Sequence, residues 1–227
     1  MVQTLEGLVV AIPAAATTTG SAVGRLVAAE QGELILGAAT AAQLKSVERS
    51  IQPGEIAYGV QVDLEHAKSV DEYFKIAIGQ FGRIDAIILE TKFPVRSTLI
   101  EKSIGSGVRR LLYCLDAALR YCTGDLHVVT ISPDADRYAI PVASAFLGGR
   151  LATRKTPASP APTVRMSVIS PAGRAVSDDG TLARTVVHVL REPRNVDVTE
   201  TVLWQRPQKS DRRSKLAATR SKIMLPS

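Results

Sequence analysis

The sequence predicts an α/β fold: a doubly wound parallel sheet in three αβα layers, forming a single domain. Three observations predict it. Apolar runs of five to nine residues alternate along the chain with segments of helical period. The runs are almost continuously hydrophobic, as strands are when helices cover both faces of a parallel sheet. The chain has 227 residues, 45% of them hydrophobic, which is enough to bury the core such a sheet needs.

The elements follow in order. LVVAI (8–12) is the first strand, PAAATTTG (13–20) the loop after it, and SAVGRLVAAEQG (21–32) a helix that stops at Gly32. ELILGA (33–38) is a second strand. AAQLKSVERSI (41–51) is a helix with Leu44, Val47 and Ile51 at helical spacing, ended by Pro53-Gly54. IAYGVQVDL (56–64) is a strand, and VDEYFKIAIGQFG (70–82) a helix with Tyr73, Phe74, Ala77 and Ile78 on its apolar side. IDAIIL (84–89), a long helix GVRRLLYCLDAALRYC (107–122) and DLHVVTIS (125–132) come next. KTPASPAP (155–162) breaks the pattern where a further helix, about 143–155, ends. VRMSVIS (164–170), LARTVVHVLRE (182–192) and VTETVLW (198–204) close a β–α–β series whose crossovers are right-handed. After about Pro207 the apolar period disappears, so the domain is set at 1–207 and a basic tail at 208–227.

The net charge is +6, but from residue 209 onward Lys209, Arg212, Arg213, Lys215, Arg220 and Lys222 face only Asp211, so the body is nearly neutral. A basic tail of this kind engages an anionic partner, or is simply a solvated extension. No apolar run approaches the ~20 residues of a membrane-spanning helix. MVQTLEG lacks the basic start and cleavage pattern of a secretory signal. Cys114 and Cys122 stand about two helical turns apart, too far to bridge within one helix. A reduced, cytoplasmic setting is expected. His66, His127 and His188 are scattered without ligand spacing, so no metal site is expected.

Several strings, in this order, resemble the short-chain dehydrogenase/reductase family: LEGLVVAI (5–12), VDL (62–64), FGRIDAII (81–88) and VRMSVISPAG (164–173). PRNVDVTETVLWQRP (193–207) is similar to the last strand of its NADP-dependent members. The likeness covers residues 5 to 207 and implies a Rossmann-like fold. It also implies a loop Thr-Gly-x-x-x-Gly-x-Gly whose glycines let a helix N-terminus face a pyrophosphate. That motif falls on Pro13, Ala14, Thr18 and Gly20, so one of its three glycines is kept. The resemblance makes Gly20, Thr18 and Asp63 the candidate cofactor-binding residues. A Cβ at 14 or 18 strains the turn if φ is positive there, or narrows the space for phosphate. The plain alternative is a strand-to-helix loop whose threonines cap the helix.

The family's other sites are replaced too. Its Asn-Asn-Ala-Gly falls on Leu89, Glu90, Thr91 and Lys92, and its ribose-reading position on Ala38 or Ala39. The catalytic Asn falls near Gly107, the Ser on Pro133 beside Ser132, and the Tyr-x-x-x-Lys pair on Phe146 and Arg150. Carbonyl reduction needs a phenol to protonate the developing alkoxide, with an ammonium lowering its pKa. Phe146 has no proton to give, and Arg150 keeps the charge without lysine's compact geometry. Ser132 and Tyr138 are the substitutes at hand. Three expectations follow. One is a catalytically degenerate protein without a cofactor, acting as a structural or regulatory oligomer subunit. Its partner is a second copy or an active paralogue, met through helices about 107–122 and 143–155, with Leu111, Leu112, Leu115, Ala118 and Leu119 available for burial and contact. The second is a divergent NAD(P)-dependent oxidoreductase acting on a carbonyl or alcohol. The third is a binding protein that takes a non-nucleotide ligand in the cleft at the strand ends.

Overall fold

The fold is a seven-stranded, all-parallel sheet between two layers of helices, as its apolar strands require. The computed structural model describes residues 4–51, 56–90, 100–131, 164–169, 179–192 and 202–203, with backbone only for 100–106 and 202–203. In chain order the described elements are β1 (Val9–Ile12), α1 (Thr18–Ala29), β2 (Glu33–Ala38), α2 (Ala41–Arg49), β3 (Ala57–Gln61) and α3 (Ala67–Phe81). Then come β4 (Ala86–Glu90), α4 (Ile100–Tyr121), β5 (Leu126–Ile131), β6 (Val164–Ile169), α5 (Asp179–Leu190) and β7 (Val202–Leu203).

The strands lie in the order β3-β2-β1-β4-β5-β6-β7. In β1, Ala11 pairs with Ile35 of β2 on one side and Ile87 of β4 on the other. The winding therefore reverses between β1 and β4, and in such a sheet the crevice opens beyond the carboxyl ends of these strands. Side chains alternate between the two layers along each strand. Val9 and Ala11 join Ile35, Ile87 and Val128 under α3 and α4, around the fully buried Tyr73 and Phe74. Val10 and Ile12 join Leu34, Leu36 and Ile88 on the other side, under α1 and α5.

Several boundaries differ from the sequence expectation: α2 ends at Arg49 rather than 51, β3 at Gln61 rather than 64, and α3 starts at Ala67 rather than 70. α1 begins at Thr18 rather than at 21, because Thr17 caps it: its side chain accepts from the Gly20 amide. Its left-handed end residue is Gln31, at φ 65°, rather than Gly32. Gly32 instead lies where a Cβ would meet Val27 Cγ1 at 2.6 Å. α4 begins at Ile100, seven residues before the expected start, since EKSIGSG carries no apolar period to reveal its first turns. The expected helix at 143–155, the PASPAP stretch, and the tail from 208 lie outside the described residues.

The leucines of α4 divide between core and surface. Leu111, Leu115, Ala118 and Leu119 are buried in the chain's own core against the sheet. Only Leu112 of that set stays half-exposed.

Candidate functional site

Three segments meet at the crevice beyond β1 and β4: the loop 13–17, the turn after β3, and the middle of α4. The loop is held by its own chain. The Ala15 amide donates to the Gly37 carbonyl at 2.9 Å and the Thr17 amide to that of Ala14 at 3.2 Å. Thr17 Oγ1 donates to the same Ala14 oxygen at 3.0 Å and accepts from the Gly20 amide at 2.9 Å. Among the described residues only Gly7, Gln31 and Gly82 have positive φ. Ala14 and Thr18 are therefore unstrained, and what their Cβ atoms do is occupy space. The loop matches the plain strand-to-helix alternative, with Thr17 in the capping role.

Gly20 is required by packing. A Cβ there would run into the Ala14 carbonyl oxygen and come within 2.8 Å of Thr17 Oγ1. Gly37 does the same from the other side, where a Cβ would sit 2.7 Å from Pro13 Cα. The loop is thus clasped between two glycines. One of them was legible as a family remnant; the other carries no motif at all.

Asp63 organises its own turn. Its Oδ1 accepts from the Glu65 amide at 2.9 Å, and its Oδ2 lies 2.8 Å from His66 Nδ1. The amide bond and the imidazole together hold its carboxyl below the usual carboxylate range, although the side chain is more than half exposed. Leu64, next in the chain, reaches the crevice beside Pro13 and Ala14.

From the α4 side Gly107, Arg110 and Cys114 complete the lining, with Glu90 at the end of β4. The cavity volume is about 20 Å³, the scale of a single water. Gly107, where the family places its Asn, contributes no side-chain atom. Arg110 is paired with Glu65. Burial pushes the Cys114 thiol up to about 12, so it stays a protonated packing group at neutral pH. Of the expected site residues, Gly107 faces the crevice, Gly20 and Thr18 belong to the first turn of α1, and Asp63 stands next to a lining residue. Pro133, Phe146, Arg150, Ser132 and Tyr138 lie outside the described residues, as do Thr91 and Lys92.

Two polar features gave no motif in the sequence. Thr19, only 3% exposed, donates to Asp179 Oδ1 across to α5 at 2.8 Å. At the opposite end of the sheet, Arg165 donates to His127 Nδ1 at 2.7 Å, and His127 Nε2 lies 2.8 Å from Ser167 Oγ. The Arg donor at Nδ1 places the imidazole proton on Nε2, aimed at the Ser oxygen. Such a histidine cannot take the Ser proton, so the pair is a tie between β5 and β6 and not a nucleophile with its base.

The sequence matches no family model and no curated protein. Solved structures do match over nearly the whole chain. A metagenomic short-chain oxidoreductase in complex with NADP is 18% identical with a TM-score of 0.62, covering 90% of this chain and 100% of that one. A short-chain dehydrogenase from Mycobacterium smegmatis is 18% identical with a TM-score of 0.68, covering 90% and 94%. An alcohol dehydrogenase from the archaeon Thermococcus sibiricus, complexed with 5-hydroxy-NADP, is 22% identical with a TM-score of 0.60, covering 88% and 99%. The chain therefore has the short-chain dehydrogenase/reductase fold, Rossmann-like and three-layered. Among the described residues no helix is long and apolar enough to cross a membrane.

Proposed function

We propose that this chain is a dehydrogenase-fold protein that has left hydride transfer and works through its surface, as a structural or regulatory subunit of an oligomer. The first loop carries the reading: it is closed on its own chain, with Thr17 Oγ1 accepting from the Gly20 amide and the Ala15 amide donating to the Gly37 carbonyl. The residues present do not fit a dinucleotide held in the family's manner. Ala14 and Thr18 put side chains where its loop has glycine, and Gly107 offers no side-chain amide where its helix has Asn. The partner is a second copy or an active paralogue, and the half-exposed Val108 and Leu112 of α4 are a surface for it.

The test is a thermal-shift series with NAD⁺, NADH, NADP⁺ and NADPH, run beside light scattering of the same sample. Unchanged melting and one defined oligomer are expected. Saturable dinucleotide binding in the micromolar range, or a monomer at all concentrations, overturns the proposal.

A second reading, a divergent NAD(P)-dependent oxidoreductase, is favoured by the NADP and 5-hydroxy-NADP in two of the similar structures. On that reading Ser132 or Tyr138 supplies the proton. It requires a dinucleotide-dependent rise in melting temperature and loss of turnover in Ser132→Ala or Tyr138→Phe.

A further inference from the structure

β3 is an edge of the sheet, with β2 on one side and, among the described residues, no strand on the other. Its ladder to β2 runs unbroken from Ala57 to Gln61. The Leu34 amide donates to the Ile56 carbonyl and the Val62 amide to the Ala38 carbonyl, each at 2.8 Å. In a parallel ladder alternate residues bond to the same neighbour, so residues 56, 58, 60 and 62 serve β2. Ala57, Gly59 and Gln61 turn their amides and carbonyls outward, where no bond among the described residues meets them.

Sheet edges are ordinarily blunted by a charge, a proline or a bulge. The string IAYGVQV (56–62) carries none of the three. It carries instead the exposed large hydrophobic side chains of the described residues, Ile56 at 57% and Tyr58 at 40% exposure. Both point to the α3 side of the sheet, where Val60 and Val62 are buried. On the other face α2 packs on β2 and β3 alike. It sits so close that a Cβ at Gly59 would run into Glu48 Oε1 and come within 3.0 Å of the Leu44 methyl groups.

We infer that the β3 edge joins two copies of this chain, pairing antiparallel about a twofold axis at Gly59 into one continuous sheet. The inference deepens the proposed oligomer and rests on that reading, and its surface is separate from the one on α4. An uncharged edge does not repel its own copy, and its outward groups are self-complementary. Gly59 exchanges a pair of hydrogen bonds with its mate, and Ala57 of each copy a pair with Gln61 of the other. On the α3 side Tyr58 then lies opposite Val60 and Ile56 opposite Val62 of the second copy, with the two Tyr58 rings diagonal neighbours across the axis. Both exposed side chains are covered. On the other face, strands about 4.8 Å apart and α2 seated over β2 and β3 put the two α2 helices about 10 Å from each other, the spacing of packed helices. Leu44 and Glu48 flank Gly59, so the axis passes near Ser46. Antiparallel helices then set Lys45 of one copy beside Glu48 of the other, and these opposite charges favour the pairing.

The test is sedimentation of the full-length chain across a concentration series, beside hydrogen exchange on the same samples. The amides of Ala57, Gly59 and Gln61 should be protected at high concentration and exchange freely on dilution. Tyr58→Lys puts a charge on the edge and should weaken this association at least about tenfold. Leu112→Lys on α4 should leave the same three amides protected. An oligomer in which those amides exchange freely, or one that Tyr58→Lys leaves intact, overturns the β3 interface while the oligomeric reading stands. A chain that is monomeric at every concentration sinks both. Should Tyr58→Lys not fold, Ala57→Pro, which removes one outward amide and no bond to β2, is read against the same criteria.

Discussion

At the scale of single residues, the glycines show how a family remnant and a packing requirement become confounded. Gly20 occupies the third position of a phosphate loop, yet what fixes it is the Ala14 carbonyl behind it. Helix propensity alone would favour alanine there by up to about 1 kcal/mol. The collision is with backbone, which no rotamer change relieves, and overpacking of that kind costs about 1–3 kcal/mol. Gly20→Ala is therefore expected to destabilise the chain by about 1–2 kcal/mol in urea unfolding, with or without a dinucleotide present. Gly79 on α3 is the control, because nothing lies within 4 Å of where its Cβ would go. Gly79→Ala should stabilise by up to about 1 kcal/mol. If Gly20→Ala proved neutral, the clasp around the loop would be looser than its geometry says. The same scale limits what the sequence can reveal. Asp63 is legible as an acidic turn, but its bonds to Glu65 and His66 follow from backbone geometry that the string VDL does not contain. Asp179 is invisible in the sequence, because its partner Thr19 is 160 residues away.

At the scale of elements, strands were easier to read than helix starts, for a physical reason. Burial on both faces leaves an unbroken apolar run, and ELILGA coincides with the strand Glu33–Ala38. A helix start is written in caps and polar first turns, which carry no period. Hence α1 begins three residues and α4 seven residues before their apolar stripes. β5 carries an irregularity of its own. Thr130 is 1% exposed, and its Oγ1 has no hydrogen-bond partner among the described residues. A buried hydroxyl without a partner costs about 1–3 kcal/mol of desolvation. Valine has nearly the same shape and suits a strand between β4 and β6. Thr130→Val should raise stability by about 1 kcal/mol, seen as an increase of several degrees in melting temperature. A loss of stability instead would mean that the hydroxyl meets an acceptor in the folded protein in solution.

At the scale of the whole molecule, both helix layers close over the sheet, and on the α3–α4 side burial makes two groups, Tyr73 and Cys114, harder to deprotonate. Tyr73 is fully buried, with its hydroxyl donating to the Ile35 carbonyl at 2.8 Å and its ring edge-on to Phe74 at 5.2 Å. Burial holds its phenol well above the ordinary value of 10.0, and pushes the Cys114 thiol from 9.0 up to about 12. Unfolding returns both groups to water, where they ionise at their ordinary values. Below pH 9.0 both states keep these protons and the two groups add no pH dependence. Above it the folded chain binds more protons than the unfolded one, so stability falls as pH rises, through the Cys114 range up to about 12. Urea unfolding at successive pH values from 8 upward should therefore show a falling midpoint in the natural chain. Cys114→Ala starts from a lower midpoint because it leaves a cavity, but its midpoint should fall less steeply with pH. Tyr73→Phe should flatten the curve further at its upper end. Parallel curves for all three chains would show that alkaline loss of stability arises elsewhere, and that the core beneath α3 and α4 admits water before the molecule unfolds.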